Sequence, residues 1–157
     1  VPSRAQRLLM IGGGVGVAPL VMLSDEAASR NLDVVFVMGA ANEAGLLAAS
    51  ELSDRIEYVV ATDDGSRGHR GLATDLVRDF VQWADQIFAC GPEPMYRTLR
   101  AVLEPLRTNR KPSVQISVER GMACGLGACL GCVVETTHGM IASCVKGPVF
   151  ELDEILL

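Results

Sequence analysis

The chain has 157 residues, 49% hydrophobic and 21% charged, with a formal net charge of −5. That balance suits one compact domain, or one with a small appendage, and argues against disorder. Without a basic run it argues against nucleic acid and anionic membrane surfaces, and no apolar stretch reaches the roughly 18 residues of a membrane span.

Residues 7–13 (RLLMIGG) form a continuous apolar run stopped by glycine, the pattern of a buried parallel strand. Residues 16–31 follow with helical spacing, and their acidic residues precede the basic one, the order a helix dipole favours. Residues 33–40 read as a second strand and 42–54 as a second helix with Asn42 as N-cap. A third strand over 55–65, a helix over 71–85 and a fourth strand over 86–91 come next. A proline-initiated helix over 92–108 and a fifth strand over 112–119 complete the alternation. This order predicts an α/β fold, a doubly wound five-stranded parallel sheet with its ligand at the carboxyl edge of the strands.

Alternation stops near residue 119. Residues 132–144 read as a hairpin around Thr137-His138-Gly139, and the last segment, GPVFELDEILL, has no clear period. The expected division is a nucleotide-binding domain over 1–118 and a cysteine-rich subdomain over 119–157. That subdomain, only about forty residues, is too small to bury much core by itself. Its fold is therefore expected to depend on a metal.

GGGVGVAP (12–19) lies where the first strand turns into the first helix. Gly12, Gly13, Gly14 and Gly16 would let the backbone approach a pyrophosphate resting on the helix N-terminus. The same glycines would serve a strand–helix corner with no ligand. Pro19 stands where a third glycine is usual. CGPEPM (90–95) ends the fourth strand, where Cys90 by itself would read as a small buried hydrophobe. Together, G-x-G-x-x-P and C-G-x-x-x-M resemble the nicotinamide domain of the ferredoxin–NADP reductase superfamily. The resemblance implies that Gly91, Pro92 and Met95 shape the dinucleotide site and that Cys90, the catalytic candidate, packs against the carbon that exchanges hydride. After the third strand, Asp63 and Asp64 stand where NADP-using relatives place a serine and an arginine. A carboxylate accepts hydrogen bonds from ribose hydroxyls and repels a phosphate, which favours NAD; Arg67 and Arg70 nearby keep NADP open.

Three of the five cysteines crowd residues 124–132. Cys124, Cys129 and Cys132 stand as C-x4-C-x2-C, and Cys144 follows; this is the plant-type [2Fe–2S] spacing. Gly125, Gly127, Ala128 and Gly131 would let backbone N–H groups point at the sulfurs without side-chain collision. A structural zinc site could use the same thiolates, though such sites more often come as two C-x2-C pairs. His69 and His138 read as turn residues. An odd number of unevenly spaced cysteines without a secretory pattern favours ligation over disulfides, and hence a cytoplasmic chain.

Taken together, IGGGVGVAPL, ATDDGS, CGPEPM, ERGMACGLGACLGCVV and CVKGPVF resemble the electron-transfer subunit of NAD-linked dihydroorotate dehydrogenase, over essentially the whole chain. The resemblance implies an oxidoreductase subunit of pyrimidine biosynthesis, with Cys124, Cys129, Cys132 and Cys144 as cluster ligands. It implies electrons passing from the FMN of a separate catalytic subunit, in a heterotetramer, through the cluster and an FAD to NAD. In that family the FAD sits on a β-barrel preceding the first strand, which is not in this sequence, so these residues alone are not expected to sustain catalysis. A related reductase subunit serving a hydrogenase or ferredoxin partner is the alternative within the superfamily. A zinc-stabilised nucleotide-binding module without a redox role is the alternative outside it.

Overall fold

The computed structural model describes residues 4–106 and 112–157. Arg7–Gly13 (β1) runs into a 3-10 turn at Gly14–Gly16, then Val17–Ser29 (α1) and Asp33–Ala40 (β2). Ile56–Thr62 (β3), His69–Arg70 (β4), Val77–Phe80 (α2), Gln86–Cys90 (β5), Glu93–Leu103 (α3) and Ser113–Ser117 (β6) follow. The remainder holds Val133–Thr136 (β7), Gly139–Ala142 (β8), Ser143–Lys146 (α4) and Val149–Glu151 (β9).

The large sheet has the order β4-β3-β2-β1-β5-β6-β9. The expected five-stranded parallel sheet is its centre, β3-β2-β1-β5-β6. Two edge strands are additional: β4 lies parallel to β3, and β9 lies antiparallel to β6. The β1 run is buried on both faces, so its side chains sort by alternation. Leu8 and Met10 pack with Val34, Phe36 and the Leu20, Ala27 and Ala28 face of α1. Leu9 and Ile11 pack on the other side with Val37, Val77 of α2 and Leu99 and Leu103 of α3. All five central strands are parallel, but the strand order reverses at β1, growing through β2 and β3 on one side and through β5 and β6 on the other, and that switch point opens the crevice in which open α/β sheets bind ligands.

Two expected helices are not formed as read. Residues 42–54 make only isolated 3-10 turns at Glu43–Gly45 and Ala49–Glu51. Asn42 is extended, with φ −155°, and its side chain makes no capping bond. The apolar residues that reach the core here are Leu46, Leu47 and Leu52, a spacing that no single helix face presents. The segment is instead held by Tyr58 Oη donating to the Leu47 carbonyl at 3.0 Å. A helix this short without a packed face is marginal in water. The helix expected over 71–85 narrows to a 3-10 turn at Ala73–Leu76 running into the four residues of α2.

The proline-initiated helix ends at Leu103, and a 3-10 turn at Glu104–Leu106 contains Pro105, which cannot continue an α-helix. Residues 107 and 108 of that expectation lie outside the described residues. The hairpin is present as β7 and β8, but Cys144 sits on the short α4 turn after it. The segment without a period contributes β9, and it is fastened in several ways. Ser113 and Gln115 donate to the Glu151 carboxylate, while Arg100 of α3 donates to the carbonyls of Leu152 and Ile155. Val134, Phe150, Leu152 and Ile155 join the same core as α3. The cysteine-rich segment thus shares a core with the sheet.

Candidate nucleotide cleft and cysteine cluster

A cleft of about 810 Å³ opens at the switch point. Gly13, Gly14, Gly16, Pro19, Asp63, Cys90, Gly91, Pro92 and Met95, all singled out by sequence, line it. The glycines do different things. A Cβ on Gly16 would stand 2.4 Å from the Cys90 carbonyl oxygen, so this glycine lets the loop press onto the end of β5. At Gly13 and Gly91 a Cβ would meet the Met95 sulfur at 2.9 Å, which makes Met95 the wedge between the two motifs. Gly14, at φ +56°, has open space where its Cβ would be. Gly12 lies within β1, paired with Met38 and Cys90, and is not in the cleft wall.

Cys90 ends β5 opposite Ser117, its Sγ 4.0 Å from the Ser117 carbonyl. Burial pushes its pKa up, so near neutral pH it is a thiol that packs, not a thiolate that attacks. Tyr96 escaped sequence reading. Its hydroxyl accepts from the Gly91 N–H at 2.9 Å and donates to the Ser117 carbonyl at 2.6 Å, tying together the ends of β5 and β6. Burial raises the phenol to about 12, so it stays protonated in that role. Nothing in the local pattern marks this tyrosine; it reads as one more apolar position of an amphipathic helix.

The aspartates separate. Asp63 lines the cleft, while Asp64 turns back to accept the Ser66 N–H at 2.9 Å in an Asx-type turn, which lowers its pKa through the bonds from Ser66. The Arg67 guanidinium lies 3.4 Å from Glu43. Arg120 is a cation on the cleft wall that sequence reading missed; it lies 3.3 Å from Glu93 at the start of α3. His69 pairs with Asp75 at 3.5 Å, and His138 occupies the hairpin turn, both exposed.

All five cysteines are free thiols. In the 124–132 loop the backbone turns its N–H groups inward. Leu126 and Cys129 donate to Cys124 Sγ at 3.4 and 3.5 Å, Gly131 donates to Cys129 Sγ at 3.5 Å, and Cys144 donates to Cys132 Sγ at 3.4 Å. Positive φ at Gly125, Gly127 and Leu130 makes this wrapping possible. The N–H groups of Cys129 and Leu126 bring Cys124 down to about 6, and that of Cys144 lowers Cys132. Cys144 is raised, first by its contact with the Cys132 sulfur and further by the charges of Cys132 and Cys124. The thiols therefore gather as two neighbouring pairs, Cys124 with Cys129 and Cys132 with Cys144. Among the described residues no three His, Cys, Asp or Glu side chains converge on one ion. Two pairs with inward N–H donors fit a two-iron cluster, in which each iron takes two thiolates.

A dinucleotide-type crevice beside such a thiol loop defines an oxidoreductase domain. Residues 10–101 match the family model of the oxidoreductase NAD-binding domain, and the chain belongs to that family. Residues 119–156 match the family model of the iron–sulfur cluster binding domain of dihydroorotate dehydrogenase B. The chain is 38% identical over 156 residues to the dihydroorotate dehydrogenase B (NAD(+)) electron transfer subunit of Geobacillus thermodenitrificans, covering 96% of this chain and 58% of that protein. The Listeria monocytogenes subunit is 36% identical over 152 residues, covering 95% and 58%. The chain thus spans somewhat over half the length of these relatives. Among solved structures it resembles a chain of the NADH-dependent reduced ferredoxin–NADP oxidoreductase, with a TM-score of 0.80 at 26% identity over 96% of this chain and 54% of that one. A ferredoxin reductase of carbazole 1,9a-dioxygenase, at 20% identity and a TM-score of 0.55, shares the fold. No helix among the described residues is long and apolar enough to cross a membrane.

Proposed function

We propose that this chain is the NAD-binding and cluster-binding part of a cytoplasmic electron-transfer subunit that passes electrons from dihydroorotate oxidation to NAD. The observation that carries the reading is the conjunction of the two sites: the loop of paired thiols begins just past the cleft wall formed by Glu119, Arg120 and Met122. Cys124, Cys129, Cys132 and Cys144 hold a [2Fe–2S] cluster, with residues 119–157 as its subdomain and 1–118 as the NAD-binding domain. When bound, such a cluster takes up and releases single electrons. This chain's own part is to offset the cluster's negative charge with the N–H groups of Leu126, Cys129, Gly131 and Cys144, which also tune its potential.

In the cleft, Gly13, Gly14 and Gly16 seat the pyrophosphate. Asp63 accepts from the adenosine ribose and selects NAD over NADP. Cys90, held by the Tyr96–Gly91–Ser117 bonds, packs beside the nicotinamide ring, while Pro92 and Met95 support that wall. A flavin held beside that ring would supply the hydride chemistry, and Cys90 is the residue of this chain that would pack against the exchanging carbon. The partner is an FMN-bearing catalytic subunit in a heterotetramer. Exposed Leu126, Leu130, Met140 and Val145 around the loop suit a docking face for it. A second reading, a reductase subunit serving a ferredoxin, is favoured by the fold match to the ferredoxin–NADP oxidoreductase chain.

Serine at any one of Cys124, Cys129, Cys132 or Cys144 is expected to lose or destabilise the cluster, read as iron, acid-labile sulfide and visible absorbance bleached by dithionite. Serine at Cys90 is expected to leave all three unchanged. One zinc per chain in protein grown with ample iron overturns the redox assignment.

A further inference from the structure

One buried side-chain oxygen among the described residues has no hydrogen-bond partner: Thr74 Oγ1. Thr74 is 1% exposed and lines the cleft, and its orphan hydroxyl is buried just behind the wall of the dinucleotide crevice. Buried hydroxyls are normally satisfied, and one left open at a binding site calls for an explanation. Its surroundings are unusually well fixed. The Leu72 N–H donates to Asp75 Oδ2 at 2.8 Å, the Asp75 N–H returns to the Leu72 carbonyl at 3.0 Å, and His69 flanks the same carboxylate. A Cβ on Gly39, at the end of β2, would stand 2.9 Å from the Ala73 Cβ, so residue 73 is pressed against the sheet. The hydroxyl is therefore left open on a turn that is otherwise pinned.

We propose that Thr74 Oγ1 hydrogen-bonds the ribose–phosphate backbone of the adenosine half of a dinucleotide bound in the cleft; this rests on the cleft being the NAD site. The half follows from topology. Thr74 leans on the end of β2, on the same side of β1 as β3 and Asp63, whereas Cys90 and Ser117 lie on the β5–β6 side. A turn about χ1 exchanges hydroxyl and methyl at the wall, so the bond forms without moving the backbone. The sequence gives no hint of this, because a threonine in the first turn of an expected helix reads as a capping or surface residue.

The test compares Thr74→Val and Thr74→Ser in the complete protein, by titration with NADH and with ADP-ribose and by thermal melting. Valine keeps the shape and removes the unpaired hydroxyl, so the unliganded variant is expected to melt at or above the wild-type temperature. Its affinity for both ligands is expected to fall by about five- to twentyfold, with serine restoring affinity to within about twofold. Unchanged affinity in Thr74→Val overturns the proposal while leaving the NAD site standing. A lower melting temperature in that variant also overturns it, by showing that the hydroxyl serves the protein itself. Loss for NADH but not for ADP-ribose overturns the assignment to the adenosine half. An unsubstituted protein that binds neither ligand overturns the NAD-site reading and this proposal together.

Discussion

Gly14 and Gly16 stand two residues apart in one motif and answer to different constraints. Gly16 is required by the protein, since a Cβ there enters the Cys90 carbonyl at 2.4 Å. Gly14 faces open space at a positive φ that asparagine tolerates better than most residues. A Gly16 substitution therefore confounds ligand exclusion with a clash, and Gly14→Asn is the cleaner probe. It is expected to leave the fold within about 1 kcal/mol of wild type and to weaken NADH binding by tenfold or more, read by calorimetric titration beside a melting curve. Full NADH affinity in that variant would remove the glycine loop from the site. Gly16→Ala is expected to cost about 2–4 kcal/mol of stability, as overpacking against backbone does. The motif was legible as a set of glycines, but which neighbour each one admits was not.

Between elements, β1 and β5 meet at one charged clamp. Asp85, just before β5, accepts the backbone N–H groups of Gln6 and Arg7 at 3.0 Å each and the Arg7 guanidinium at 3.0 Å. Those bonds hold its carboxyl at about 2, against an ordinary value of 3.8. The folded form binds its proton more weakly than the unfolded chain, so the stabilisation is full above about pH 4 and is lost as pH falls towards 2. Asp85→Asn is expected to cost about 1–2 kcal/mol near pH 7, the partly exposed Arg7 discounting the full shift. The gap between variant and wild type should narrow from about pH 4 downward and be largely closed near pH 2 in urea unfolding followed against pH. A gap independent of pH would show that shape, not charge, makes the clamp. The elements themselves were legible where strands are buried on both faces, as in β1 and β2. They were not legible over 42–54, where Ala, Leu and Glu propensities favour a helix but the core admits only Leu46, Leu47 and Leu52.

At the scale of the molecule, the cysteine-rich segment is less independent than its size suggests. Its loop carries the thiols, but Phe150, Leu152 and Ile155 are buried beside α3, and β9 extends the main sheet. Chelating the iron is therefore expected to loosen residues 119–132 and the α4 turn while β6 and β9 keep their protection in hydrogen–deuterium exchange. Cooperative exchange of everything from 119 to 157 would instead make the segment a metal-dependent unit of its own. The docking of β9 and the Arg100 bonds to Leu152 and Ile155 argue for the first outcome.

The sequence by itself determined the central parallel sheet, the strand ends that carry the glycine loop and CGPEPM, and the four cysteines, because these depend on local period and spacing. Short continuous apolar runs stopped by glycine and alternating with helical patterns read as strands buried on both faces, and C-x4-C-x2-C places three thiols within one loop whatever surrounds it. Only the tertiary structure decided how those pieces meet. Asp63 enters the cleft and Asp64 leaves it because Ser66 captures the second carboxylate. Tyr96 fastens the ends of β5 and β6, whose last residues Cys90 and Ser117 lie 27 residues apart in the chain, and Thr74 is left without a partner at the wall. Those outcomes are set by contacts between distant segments, which no window along the chain contains.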